Sequence, residues 1–241
     1  MIYFLIPILN ESENIELLSK NLINCLPEEN KYYVFVDDGS TDNSVAVLKK
    51  MAVSSSYTIL GDGLNHGPGY AFNLGFEWIL GHSHHDNDIV ITLEADNTSD
   101  LTILPNMVSI SYMGFDLVLA SAYAQGGGFE QTTFLRKILS FGANMLLRFA
   151  YDIKVLTLSS FYRVYTITIL KEVKKKYSSL IAEPGFISMI ELLIKIIRTK
   201  GKIIEYPMTL HSSKRIGKSK MKVIKTTLRY LRFLIAGRNT L

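Results

Sequence analysis

The chain has 241 residues with 48% hydrophobic and 20% charged content, an ordinary globular balance that excludes a disordered polymer and suits one large α/β domain. Its single cysteine, Cys25, excludes an intrachain disulfide and a cysteine-based zinc cluster. The net charge of +4 hides an asymmetry: nine of the 26 Lys and Arg lie between Lys214 and Leu241 with no acid among them, so the 17 before Lys214 face all 22 acids at a net −5, and a basic tail predicts an anionic partner.

The opening Ile2 to Leu9 reads as a buried strand and not as a leader, because it lacks a basic start and a small-residue cleavage site and ends at Asn10-Glu11. Helix Ile15 to Asn24, strand Tyr32 to Val36, helix Asn43 to Ala52 and strand Tyr57 to Leu60 follow in alternation. Helix Pro68 to Leu80, strand Ile89 to Leu93, helix Leu101 to Ser111 and strand Leu117 to Ala120 continue it. Repeated βα units predict a mainly parallel twisted sheet covered on both faces. After Ser121 the rhythm changes to a glycine loop at Gly126 to Gly128, helices over Thr133 to Ala150 and Phe186 to Lys200, and a last strand over Lys202 to Tyr206. No stretch approaches the roughly 18 consecutive apolar residues of a membrane span, so a cytoplasmic active site is expected.

Two strand ends carry chemistry. Val34-Phe35-Val36 runs into Asp37-Asp38-Gly39-Ser40-Thr41-Asp42, and Ile89 to Leu93 runs into Glu94-Ala95-Asp96. Either cluster alone suits a turn or a helix cap. Both together at the carboxyl ends of sheet strands, where open α/β sheets bind ligands, point to a nucleotide and a divalent cation. The segment Gly61-Asp62-Gly63-Leu64-Asn65-His66-Gly67 does not supply a dinucleotide fingerprint, since His66 stands where the third glycine belongs and the segment follows the third strand. His82, His84 and His85 are too close in sequence to face one ion and read as charge at a helix C-terminus, while His66 and His211 are weaker ligand candidates, His211 bordering the basic loop.

Pro7-Ile8-Leu9-Asn10-Glu11, Val36 to Asp42, Asn65-His66-Gly67-Pro68-Gly69-Tyr70-Ala71 and Glu94-Ala95-Asp96 together resemble the ordered motifs of family 2 glycosyltransferases, which have the nucleotide-diphospho-sugar transferase (GT-A) fold. Downstream, Ala120-Ser121-Ala122-Tyr123 with Gly126-Gly127, then Arg136, Ser140 and Asn144, then Ser159 to Arg163, Glu205-Tyr206-Pro207 and Arg215 to Lys220 are similar to dolichyl-phosphate and polyprenyl-phosphate sugar synthases. The resemblance implies a GT-A domain over 1–221 and a basic amphipathic C-terminal helix over 222–241. It places Pro7, Asn10, Glu11, Asp37, Asp38, Gly67, Ala95 and Lys220 around the nucleotide sugar. Glu94 and Asp96 would hold Mg²⁺ or Mn²⁺, Asp96 the more direct ligand because Glu94 replaces the usual aspartate. Asp96, Arg136 and Arg215 would carry catalysis, and Arg136, Ser140 and Ser219 would face an acceptor phosphate. Where the synthases have arginine in a Gly-Ser-Arg-Tyr motif this chain has Ala122, so one phosphate contact is missing.

The implied reaction is metal-dependent, inverting transfer of a sugar from a nucleoside diphosphate to a polyprenyl or dolichyl phosphate. A phosphate acceptor is already anionic near neutral pH and needs no general base, whereas the hydroxyl of a lipid-linked saccharide does. The base candidates for that alternative are Glu183, which reads as an exposed turn acid, and Glu191, which reads as a helix-face charge. In the tail, Val223, Ile224, Thr227, Leu228, Leu231, Leu234 and Ile235 recur at helical spacing among Lys222, Lys225, Arg229 and Arg232. Such a helix is expected to lie peripherally on the cytoplasmic membrane face, or to pack on the domain or on a membrane subunit. A non-catalytic nucleic-acid module is the lesser reading, since Tyr230 and Phe233 fall on the apolar face instead of forming a stacking platform.

Overall fold

The computed structural model describes residues 1–51, 56–130, 134–216, 229 and 233, with the side chains of 51, 134–141 and 143 outside that description. The first half alternates as expected: β1 (Ile2–Ile8), α1 (Ser12–Asn24), β2 (Lys31–Asp37), α2 (Ser44–Met51), β3 (Tyr57–Leu60), α3 (Pro68–His82), β4 (Ile89–Thr92), α4 (Leu104–Tyr112) and β5 (Leu117–Ser121). The second half is richer than the sequence predicts: β6 (Gly128–Glu130), α5 (Phe134–Tyr151), β7 (Arg163–Thr166), α6 (Ile167–Tyr177), α7 (Ser188–Arg198), β8 (Ile203–Pro207) and β9 (Thr209–His211). The end of the expected glycine loop is strand β6, and β8 is followed by β9, so the strand after α7 is not the last.

Seven strands form one sheet in the order β3-β2-β1-β4-β7-β5-β8. All pairs are parallel except those of β7, which runs antiparallel between β4 and β5. Side chains alternate across the sheet with a period of two, and each face has its own core. Ile2, Phe4, Ile6, Val118 and Val164 meet Ile15, Leu18, Leu48, Leu104 and Met107 of α1, α2 and α4 on one face. Tyr3, Leu5, Val34, Val90 and Tyr165 meet Phe72, Phe76, Leu147, Leu170 and Leu193 of α3, α5, α6 and α7 on the other. A central strand buried on both faces has to be apolar at nearly every position, which is why β1 reads Ile-Tyr-Phe-Leu-Ile without polar interruption.

The parallel strands aim their carboxyl ends at one edge, and because β7 is antiparallel its start joins them: Arg163 lies opposite Thr92, the last residue of β4. Arg163 is fully buried and donates to the carbonyls of Ser160 (2.7 Å), Leu158 (2.6 Å) and Met189 (2.7 Å). Three carbonyl partners offset part of the cost of burying a guanidinium and tie the loop before β7 to the start of α7 at that edge.

Between α6 and α7, the turn at 179–185 is tied down from several sides. Glu191 of α7 is buried, not a helix-face charge as its sequence context suggests. Its carboxylate pairs with Lys195 (2.7 Å) and accepts the amides of Ala182 (3.0 Å) and Glu183 (2.8 Å). Glu183 itself is half-buried in this turn. The Pro184 carbonyl accepts Gly69 N at 2.9 Å, and a Cβ on Gly69 would stand 1.9 Å from the Glu183 oxygen. Gly69→Ala is therefore expected to push the turn off α3 and lower stability by on the order of 1–3 kcal/mol, read by denaturant unfolding.

Of the expected C-terminal helix, Arg229 and Phe233 fall within the description and both are helical. Phe233 is buried in the core beside Tyr151, whose hydroxyl donates to the Phe233 carbonyl at 2.9 Å. The Arg229 guanidinium lies against Gly185. At these two positions the tail packs on the domain.

Candidate functional site

The ends of β1 and β2 are laced into one platform. Asn10, in the left-handed region at φ 52, accepts Thr41 N (2.7 Å) and Asp42 N (3.3 Å) on its side-chain oxygen, and its own amide donates to Ser40 Oγ (3.0 Å). Glu11 N donates to Ser44 Oγ at 2.7 Å, and Asp37 accepts Ser40 N at 3.1 Å. Asp38 is buried and takes His66 N (2.8 Å) and Gly67 N (2.9 Å), so it clasps the loop after β3. Burial raises the Asp38 pKa against the lowering effect of those two amides. Gly39 sits where that loop presses in: at φ 79, a Cβ would be 2.7 Å from Asn65 N. Pro7 is half-buried at the end of β1 and Ala95 is buried beyond β4. Seven of the eight expected nucleotide-sugar residues thus belong to the loops beyond β1, β2, β3 and β4 or to the last residues of β1 and β2; the eighth, Lys220, lies outside the described residues.

The second strand end supplies the charge. Asp96 is 6% exposed. One of its oxygens accepts Thr98 N (3.1 Å) and Thr98 Oγ1 (2.7 Å), and the other accepts Arg215 Nε at 2.6 Å and Arg215 Nη2. Glu94 is pushed up to about 8, first by burial and then by the charges of Asp96 and Glu11, with Arg215 opposing. Three carboxylates thus share a low-dielectric corner with one guanidinium, a charge deficit that suits a divalent cation with hard oxygen ligands. Among the described residues no three His, Cys, Asp or Glu side chains form a metal cluster.

Arg215 reaches this corner through β6 and β9, a two-stranded parallel sheet. His211 N donates to the Thr98 carbonyl at 3.2 Å, while Glu130 accepts Ser213 Oγ (2.7 Å) and meets His211 Nδ1 (3.2 Å). His211 is therefore a strut at the root of the basic loop. Arg136 and Ser140 lie on α5, but their side chains are outside the description, as are Ser219 and Lys220 entirely.

Two residues without a site signature of their own in the sequence organise the corner. Thr98 fixes Asp96, a turn signal visible in Asp-Asn-Thr. Asn14, 2% exposed, donates to Glu11 Oε2 (2.6 Å) and to the Ile216 carbonyl (3.2 Å) and accepts Ile216 N (3.3 Å). Its partner is 202 residues away, and no local pattern announces it.

Residues 3–174 match the family model described as Glycosyl transferase family 2. The dolichol-phosphate mannosyltransferase of Pyrococcus furiosus is 30% identical over 234 residues, 95% of this chain and 61% of the relative, so the chain spans about three-fifths of that protein's length. The undecaprenyl-phosphate mannosyltransferase of Micrococcus luteus is 25% identical over 218 residues, covering 90% of this chain and 86% of the relative. Glucosyl-3-phosphoglycerate synthase from Mycobacterium tuberculosis, solved with Mn²⁺, uridine-diphosphate-glucose and glycerol 3-phosphate, superposes with a TM-score of 0.65 at 19% identity over 98% of this chain and 78% of that one, which shows the shared GT-A fold. With its acidic strand ends in the family's order and the match covering most of its length, the chain belongs to glycosyl transferase family 2.

Proposed function

We propose that this glycosyltransferase moves one sugar from a nucleoside diphosphate to the phosphate of a polyprenyl or dolichyl lipid, with inversion. The carrying observation is the contact between Asp96 and Arg215, which brings a carboxylate suited to a cation and a guanidinium suited to an anion together beyond one strand end. The relatives named as dolichol-phosphate and undecaprenyl-phosphate mannosyltransferases support the acceptor class. Glu94 and Asp96 would hold Mg²⁺ or Mn²⁺, which when bound neutralises the leaving diphosphate. Pro7, Glu11, Asp37 and the loop clasped by Asp38 enclose the nucleoside. Arg215 offers N–H groups to the leaving phosphate, and Arg136 and Ser140, by the resemblance, would supply the contacts to the acceptor phosphate. That acceptor attacks the anomeric carbon as an anion, so positioning and electrostatics carry the step without a base. Glu191, committed to Lys195 and two backbone amides, leaves the hydroxyl-acceptor alternative with only Glu183 of its two base candidates.

No helix among the described residues is long and apolar enough to cross a membrane. In this reading a lipid acceptor is met at the cytoplasmic membrane face, either directly through the basic tail or through a membrane subunit. The test is a panel of nucleotide sugars with Mg²⁺ or Mn²⁺ and a short polyprenyl phosphate, with products read by mass. A glycosyl phospholipid is the expected product; transfer only to a saccharide hydroxyl overturns the reading. In the same assay Arg136→Ala is expected to raise the acceptor KM about tenfold or more through loss of a charge-assisted contact, with a smaller effect on the donor KM.

A further inference from the structure

We propose that Asn14 is a positioning residue for the donor site, latching the backbone of Ile216 so that Arg215 is delivered onto the corner formed by Glu11 and Asp96. The inference rests on the nucleotide-sugar reading of that site.

The Asn14 carboxamide pairs with Ile216 as a strand would, accepting its N–H at 3.3 Å and donating to its carbonyl at 3.2 Å. Its second amide hydrogen goes to Glu11 Oε2 at 2.6 Å, so its donors and acceptor are all used. The Asn14 carbonyl in turn accepts Asn97 Nδ2 at 3.0 Å, and Asn97 follows Asp96 directly. One buried residue near the start of α1 therefore touches the segments bearing Glu11, Asp96 and Arg215. Ile216 is itself 50% exposed, so packing does little to hold the segment and polar contacts decide its position. Arg215 is the cation that faces Asp96 in this corner, its Nε donating to the carboxylate at 2.6 Å. When a nucleoside diphosphate with its metal ion takes over the charge of the carboxylates, the latch keeps Arg215 within reach of the phosphates instead of releasing it to solvent. The latch thus makes the binding of the diphosphate depend on a residue that does not touch it.

Two readouts test this without the acceptor. The first is the affinity for UDP and for GDP, each with Mn²⁺, by calorimetry on the full chain. Asn14→Ala and Arg215→Ala are each expected to weaken whichever diphosphate the wild type binds by roughly tenfold, and the double variant to be no worse than Arg215→Ala alone, because the two act as a unit. The second is tryptic cleavage after Lys214 and Arg215, where Asn14→Leu, of similar size but unable to pair with Ile216, is expected to be cut several-fold faster with cleavage confined to that segment. If the wild type binds neither diphosphate, the nucleotide-sugar reading fails. Should the wild type bind while the Asn14 variants bind equally well, or the effects of Asn14→Ala and Arg215→Ala add independently, the latch is overturned. A global loss of melting temperature in both Asn14 variants, with cleavage spread over the chain, reduces Asn14 to a fold residue and also overturns it.

Discussion

Asp96→Asn is expected to lose transfer activity by at least about 10²–10³-fold while keeping its fold, because the change removes charge from the carboxylate that would join the proposed cation site to Arg215. The amide is nearly isosteric, and its oxygen still accepts Thr98 N and Thr98 Oγ1, so the turn over 96–98 survives. What disappears is the anion at the oxygen facing Arg215, one of the three acids that share the corner. Glu94→Asp, by contrast, restores the spacing of a two-aspartate motif and keeps both charges, so activity should remain. Turnover measured against Mn²⁺ concentration separates the two variants. Undiminished turnover by Asp96→Asn at limiting Mn²⁺ would remove Asp96 from the ligand set.

The parts of the fold legible from the sequence are those whose signal is local. β1, β2 and β4 are apolar runs buried on both faces, α1 and α3 carry their buried residues at helical spacing, and the acids begin where each run stops. The acidic half of the site was legible for that reason: a strand end is marked by its own residues. β7 is four residues long, opens on Arg163 and is made a strand by β4 and β5 on either side, so its own pattern says little. α6 was there to be read, with Thr166 capping Ile169 N and Ile167, Leu170 and Val173 on one face. Glu191 and Lys195 stand four apart with only apolar residues between and beside them, which marks a buried pair, yet each alone looks like a surface charge. Asn14, Arg215 and His211 owe their place to contacts between distant segments, and no spacing rule encodes those.

Glu191→Gln carries the largest expected loss of stability. Lys195 would keep its place in α7 at 5% side-chain exposure without a counter-charge. It still donates to the carbonyls of Ser179 (3.0 Å) and Leu180 (3.2 Å), but carbonyl dipoles do not replace an anion. Breaking one side of a buried pair costs about 3–5 kcal/mol, which in a chain of this size lowers the melting temperature by roughly 10 °C. A double change, Glu191→Gln with Lys195→Met, removes the stranded charge and should recover most of that loss. The single change Glu191→Gln, assayed beside Glu183→Gln, separates the two acceptor chemistries: a phosphate acceptor leaves the kcat of both largely intact, because a helix that only holds the turn at 179–185 can be weakened without touching the reaction. Assayed well below its melting temperature, Glu191→Gln should retain most of its kcat if a phosphate is the acceptor. Loss of kcat at a near-normal KM and an unchanged melting temperature would make Glu191 a general base, and the acceptor a hydroxyl.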